Sequence, residues 1–133
     1  VTARIYYKAT RPDGTDFCTG TVDYAAALET GEIVRHPEPI RRRDVPGTYL
    51  SVATVATDCI AFRWPCRLFM VTAVGRPIGS SVHPNKRAVS ALRVVGELPA
   101  HEVFGPQGAE VVGIIDRAGR LTFDEVDRLR AAW

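Results

Sequence analysis

Four residue groups in this chain have side chains suited to chemistry. Tyr49 and Ser51 fall in a short extended segment, Tyr49–Val52. A tyrosine offers a broad ring with a polar tip, and a serine beside exposed backbone offers a hydroxyl, so the pair could stack on and hydrogen-bond a planar ring such as nicotinamide. The plainer reading is a core tyrosine and a serine that caps a following helix, and pattern alone favours it. Lys8 sits among Tyr6, Tyr7 and Thr10. A cation beside aromatics in a strand could meet a phosphate-bearing ligand, although such a lysine more commonly faces solvent. Gln107 and Glu110 precede an apolar run, Val111–Ile115, where a carboxylate could meet a ribose hydroxyl or a developing cation, or simply occupy an exposed turn. Arg41, Arg42 and Arg43 could grip phosphates, but no aromatics interleave and Glu38 and Asp44 dilute the charge, so a solvated loop is expected.

Other constellations have no support. Cys18, Cys59 and Cys66 and the three histidines lack the paired spacing of a zinc site, so no metal is expected, and Cys59 and Cys66 read as buried free thiols. There is no phosphate-binding glycine loop, dinucleotide fingerprint or Ser-His-Asp set. A net charge of +2 argues against nucleic acid as a partner. No apolar run is long enough to span a bilayer, no secretory signal is visible, and an odd cysteine count fits a reducing compartment, so a cytoplasmic protein is expected.

These residues need elements to hold them. The 133 residues, 46% hydrophobic, fit one domain with a true core. Strands are expected over 3–9, 32–35, 49–52, 67–74, 90–95 and 110–115, with a short partner strand over 15–18. Arg11-Pro12-Asp13-Gly14 is a turn, and 22–28 is ambiguous between helix and strand. A helix of about three turns is expected over 53–64, with Val55, Cys59 and Phe62 on one face and Pro65 ending it. The segments 36–46 and 75–85 read as loops. A capping box, Thr122 with Glu125, opens a C-terminal helix carrying Phe123, Val126 and Leu129, which is expected to cover its own sheet. The fold class is α+β.

The order of segments resembles the small ADP-ribosyltransferases of the rifamycin-modifying type. The resemblance is carried by Tyr6-Tyr7-Lys8-Ala9-Thr10-Arg11, Thr48-Tyr49-Leu50-Ser51, Arg67-Leu68-Phe69-Met70-Val71, Gly75-Arg76-Pro77-Ile78 and Arg93-Val94-Val95-Gly96-Glu97-Leu98. It implies split antiparallel sheets with one central helix and a C-terminal helix, and an NAD cleft between the sheets. It further implies that Lys8, Thr10, Tyr49 and Ser51 bind NAD, with Tyr49 matching the family's catalytic-cleft tyrosine; Glu110, which the family pattern does not mark, is the substitute catalytic acid if the fold brings it to the cleft. Two departures alter that cleft. Lys8 stands where the family has a histidine, and Gly79, Ser80 and Ser81 stand where it has an acidic residue. The chain is also similar to an uncharacterised family of small domains encoded in phage and bacterial genomes, through Lys8–Gly14, Gly47–Ser51 and Asn85–Pro99; that family brings no activity with it. The alternative to an altered NAD cleft is therefore a non-catalytic binding or assembly protein, in which Phe123, Leu129 and Trp133 of the last helix dock a partner or a second copy.

Overall fold

The computed structural model describes residues 3–36, 49–60, 63–80 and 82–132. The arginine run 41–43, Gly47, Thr48, Phe62, Ser81 and Trp133 lie outside the described residues. The described elements run β1 (Tyr6–Thr10), α1 (Tyr24–Thr30), β2 (Val34–Arg35), β3 (Leu50–Ala53), β4 (Arg67–Val74), β5 (Ile78–Gly79), β6 (Lys86–Val89), β7 (Ala91–Leu98), α2 (Gly108–Ala118) and α3 (Phe123–Ala132). Two 3-10 turns, Ala56–Asp58 and Ala100–Phe104, complete the order. The architecture is α+β, built on an antiparallel sheet of seven strands in the order β2-β7-β4-β1-β3-β6-β5. No helix among the described residues is long and apolar enough to cross a membrane.

Strand alternation sorts β1 into two faces. Tyr6 joins the larger core with Tyr24 and Ala27 of α1 and with Leu50, Val52, Phe69, Val71, Val89 and Leu92. Tyr7 and Ala9 belong to the opposite face, with Cys66, Leu68, Val103 and the two 3-10 turns. β4 is the buried strand that its composition predicts: Leu68 and Phe69 are fully buried, and the strand is paired on both sides, with β1 and with β7. The Arg11–Gly14 turn forms as expected. The Gly14 N–H donates to the Arg11 carbonyl at 2.9 Å, and Gly14 holds φ +89°, open to glycine at low cost. The ambiguous 22–28 segment resolves as α1, capped by the Asp23 carboxylate on the Ala26 N–H and closed by Gly31 in the left-handed region. The capping box also forms: Thr122 N–H donates to Glu125 Oε1 at 3.0 Å, and Glu125 N–H to Thr122 Oγ1 at 3.2 Å.

Several expectations are corrected. Among the described residues of 53–64, the expected helix is a single 3-10 turn, Ala56–Asp58. β-branched Thr54, Val55 and Thr57 weaken helix here, and the segment is tied instead to Asn85, whose carbonyl accepts the Thr54 N–H at 2.8 Å and whose side-chain amide donates to Asp58 at 2.6 Å. The strand over 110–115 is helix α2. Its half-buried Val111, Val112 and Ile115 follow buried Gly108 at helical spacing, with acidic Glu110 in the first turn and Arg117 in the last. The segment 15–18 contributes only an isolated bridge, Thr15 to Asp23, and the 75–85 loop contains β5. The expected pair of separate sheets is one sheet by connection, joined at a narrow seam. α3 covers no sheet: none of its described residues is buried.

Candidate functional site

The seam lies between β1 and β3. On its other side β1 pairs with β4 at five consecutive positions, whereas with β3 it shares one register pair, Tyr7 with Ala53. β3 then pairs with β6 over all four of its residues. Beyond Tyr7 and Ala53 the two strands therefore leave the regular ladder, and Lys8, Thr10 and Ser51 all fall on that stretch. Lys8 Nζ bridges the gap, donating to the Ser51 carbonyl at 2.8 Å. The same ammonium stands 5.5 Å from the centre of the Tyr24 ring, on the α1 face of the sheet.

Burial lowers the Lys8 pKa below its ordinary 10.5, and the positive charge of nearby Lys86 adds to that effect; Cys18 and Asp16 oppose it. An ammonium has three N–H donors, and the Ser51 carbonyl uses one. The seam thus holds a half-buried cation with donor capacity left among the described residues, and a second cation, Lys86, sits opposite Ala53 on β6. That combination favours an anion.

Thr10 is fully buried, pairs with Arg67 of β4 and donates its hydroxyl to the Arg11 carbonyl at 2.9 Å. Ser51 takes part through its backbone carbonyl. Tyr49, half-buried, lies at the bend just before β3. Glu110 stands apart: it is exposed in the first turn of α2, which packs on the 3-10 turn Ala100–Phe104, and it makes no hydrogen bond or ion pair to Lys8, Thr10 or Ser51.

Three neighbours of Lys8 are not marked by sequence motifs. Tyr24 is fully buried, and its hydroxyl has no hydrogen-bond partner among the described residues. Burial, helped by the Asp16 and Cys18 charges, raises its pKa, so it stays a neutral phenol. Asp16, itself nearly buried, organises the loop between β1 and α1. It accepts from the Thr19, Thr21 and Val22 N–H groups at 2.7, 3.0 and 3.0 Å and from the Thr19 hydroxyl at 2.9 Å. Burial alone would raise its pKa; the hydrogen bonds outweigh it and hold the carboxyl at about 2. The Asp16-x-x-Thr19-x-Thr21 spacing is a side-chain turn signal that could have announced this loop. Cys59, facing the second core cluster, is the third; burial pushes its thiol up to about 12, and that of Cys66 up to about 11, so neither is a thiolate at neutral pH. Cys18 is the exposed thiol of the three.

Comparison with protein-family models, with curated proteins and with solved structures finds no match to this chain.

Proposed function

We propose that this domain is an ADP-ribosyltransferase-like module whose β1–β3 seam binds NAD, or a dinucleotide like it, without transferring ADP-ribose. The observation that carries this reading is the parting of β1 from β3 just where Lys8 and Ser51 stand. A pyrophosphate suits the two lysines, and a base or nicotinamide ring suits half-buried Tyr49 at the mouth of β3. The transfer step is where the fit fails. Cleavage builds positive charge on a ribose, and a carboxylate there would stabilise it. Asp16 spends its oxygens on its own loop, and Glu110 is on the exposed face of another element. NAD, when bound, would supply the anionic diphosphate and the stacking ring; the chain would supply the cations and the ring platform.

The test is calorimetric titration of NAD into the protein and into Lys8→Met and Tyr49→Ala, with near-ultraviolet circular dichroism to show that each variant is folded. We expect saturable binding by the native chain, weakened about tenfold or more by Lys8→Met through loss of a charge-assisted contact, and weakened in Tyr49→Ala. No nicotinamide should be released on long incubation. Absence of binding at millimolar NAD overturns the reading, and release of nicotinamide overturns its non-transferring part.

A further inference from the structure

We propose that Lys8 is an amine nucleophile that condenses with an aldehyde carrying a phosphate, and that Lys86 holds the phosphate. This rests on the seam admitting an anionic ligand, but not on that ligand being NAD. Lysine is scarce in this chain. Of its 17 lysine and arginine residues, only Lys8 and Lys86 are lysines, and all the others are arginine. A guanidinium keeps its charge in a protein; a buried ammonium can lose its proton, and the free amine is what attacks a carbonyl. The fold brings the only two lysines together. Tyr7 of β1 pairs with Ala53 of β3, and Ala53 with Lys86 of β6, so the Lys86 backbone lies two strand spacings, about 10 Å, from that of β1. Both lysines are half-buried.

The surroundings of Lys8 favour the free amine. Its Nζ rests on the Ser51 carbonyl at 2.8 Å, a neutral acceptor in the plane of the sheet where β1 and β3 part. Among the described residues neither lysine forms an ion pair with a carboxylate. Tyr24, whose ring faces Nζ, is a neutral phenol. Cys59, on the face opposite α1 and within reach of both lysine charges, is a neutral thiol. Asp16 and Cys18 favour the ammonium, but burial and the Lys86 charge outweigh them. A second cation beside a half-buried lysine raises the share of free amine. Loss of one proton leaves Nζ two N–H groups, enough to keep its bond to Ser51, and frees a lone pair.

The step balances without a co-reactant. The lone pair adds to the carbonyl carbon as the C=O π bond breaks, and a nitrogen proton passes to the oxygen. The hydroxyl then leaves as water with the second nitrogen proton, and a C=N bond remains. Nothing is oxidised or reduced. Lys86, still an ammonium, takes the phosphate.

Pyridoxal 5′-phosphate, an aldehyde with a phosphate, is the probe, and pyridoxal, which lacks the phosphate, is the control. Each is incubated with the protein at neutral pH, imines are reduced with cyanoborohydride, and adducts are located by peptide mass mapping. The phosphate-bearing aldehyde should label Lys8 about tenfold faster, or more, than it labels N-acetyl-lysine amide, and faster than pyridoxal labels Lys8. Lys8→Arg, which keeps the charge but forms no imine, should lose that adduct. Lys86→Met should slow labelling of Lys8 and erase the preference for the phosphate, with circular dichroism to show that both variants are folded. Labelling of Lys8 no faster than the free lysine overturns the proposal, as does labelling of Lys86 ahead of Lys8. An unchanged rate and phosphate preference in Lys86→Met overturns the role of Lys86. Fast labelling of Lys8 in a protein that shows no NAD binding by calorimetry supports this proposal and overturns the NAD reading alone.

Discussion

Lys8 is a cation held in a sheet, and its setting explains why its role is hard to read from residue types. The partner that positions it is a backbone carbonyl 43 positions away, at Ser51, and any residue there would present the same atom. Lys8 and Ser51 are both legible as candidates in the sequence; the bond that joins them is not, because it depends on strand register and not on the serine hydroxyl. Asp16 shows the opposite case, a side chain whose local spacing carries its function as an organiser of the β1–α1 loop. Its folded pKa of about 2 lies below the ordinary 3.8. A carboxyl depressed in this way contributes stability that is whole above the unfolded value and lost as pH falls through the folded one. Urea midpoints measured from about pH 5 down to about pH 2 should therefore fall for the native chain and fall less steeply for Asp16→Asn. At neutral pH the variant should be less stable by about 2 kcal/mol, since three N–H groups lose a charged acceptor. Equal pH profiles for the two proteins would show that Asp16 does not stabilise the loop as an anion.

Among the elements, α2 shows how a local pattern can be misread and what then fixes the structure. Val111, Val112, Ile114 and Ile115 are β-branched and favour a strand by composition, yet the helical spacing of Gly108, Val111, Val112 and Ile115 is the pattern that prevails. Gly108 permits it. The first turn of α2 approaches the 3-10 turn so closely that a Cβ at this position would overlap the His101 carbonyl. Gly108→Ala should force α2 away from Ala100–Phe104, destabilising the domain by about 1–3 kcal/mol, the range for overpacking. A thermal melt indistinguishable from the native one would show that the contact yields freely. Elements governed by local signals were readable in advance: β1, β4, the Arg11–Gly14 turn and the capping box all rest on residues within a few positions of each other. The segment 53–64 was not, because Asn85, far along the chain, holds Thr54 and Asp58 out of a helix. Nor was the uncovered state of α3, since an amphipathic stripe looks the same whether it meets its own sheet or another molecule.

At the scale of the whole molecule, the sheet has two halves of unequal support. β2, β7, β4 and β1 form one, with β4 ladders on both sides and Phe69, Leu68 and Leu92 fully buried. β3, β6 and β5 form the other, joined to the first in the ladder by Tyr7 and Ala53, by the Lys8 ammonium, and beneath the sheet by Leu50, Val52 and Val89 in the shared core. A narrow join between well-paired halves is a natural boundary for sub-global opening. Native-state hydrogen exchange should show the amides of Phe69, Val71 and Leu92 exchanging only with global unfolding, while those of β3 and β6 exchange earlier and together, about tenfold faster or more. If NAD seats across the seam, it binds the closed form alone and should slow exchange in β3 and β6 while leaving β4 unchanged. Uniform protection across all seven strands would show that the single pair and its lysine join the halves as firmly as a full ladder. The seam would then be a fixed part of the core rather than a place where the sheet can admit a ligand.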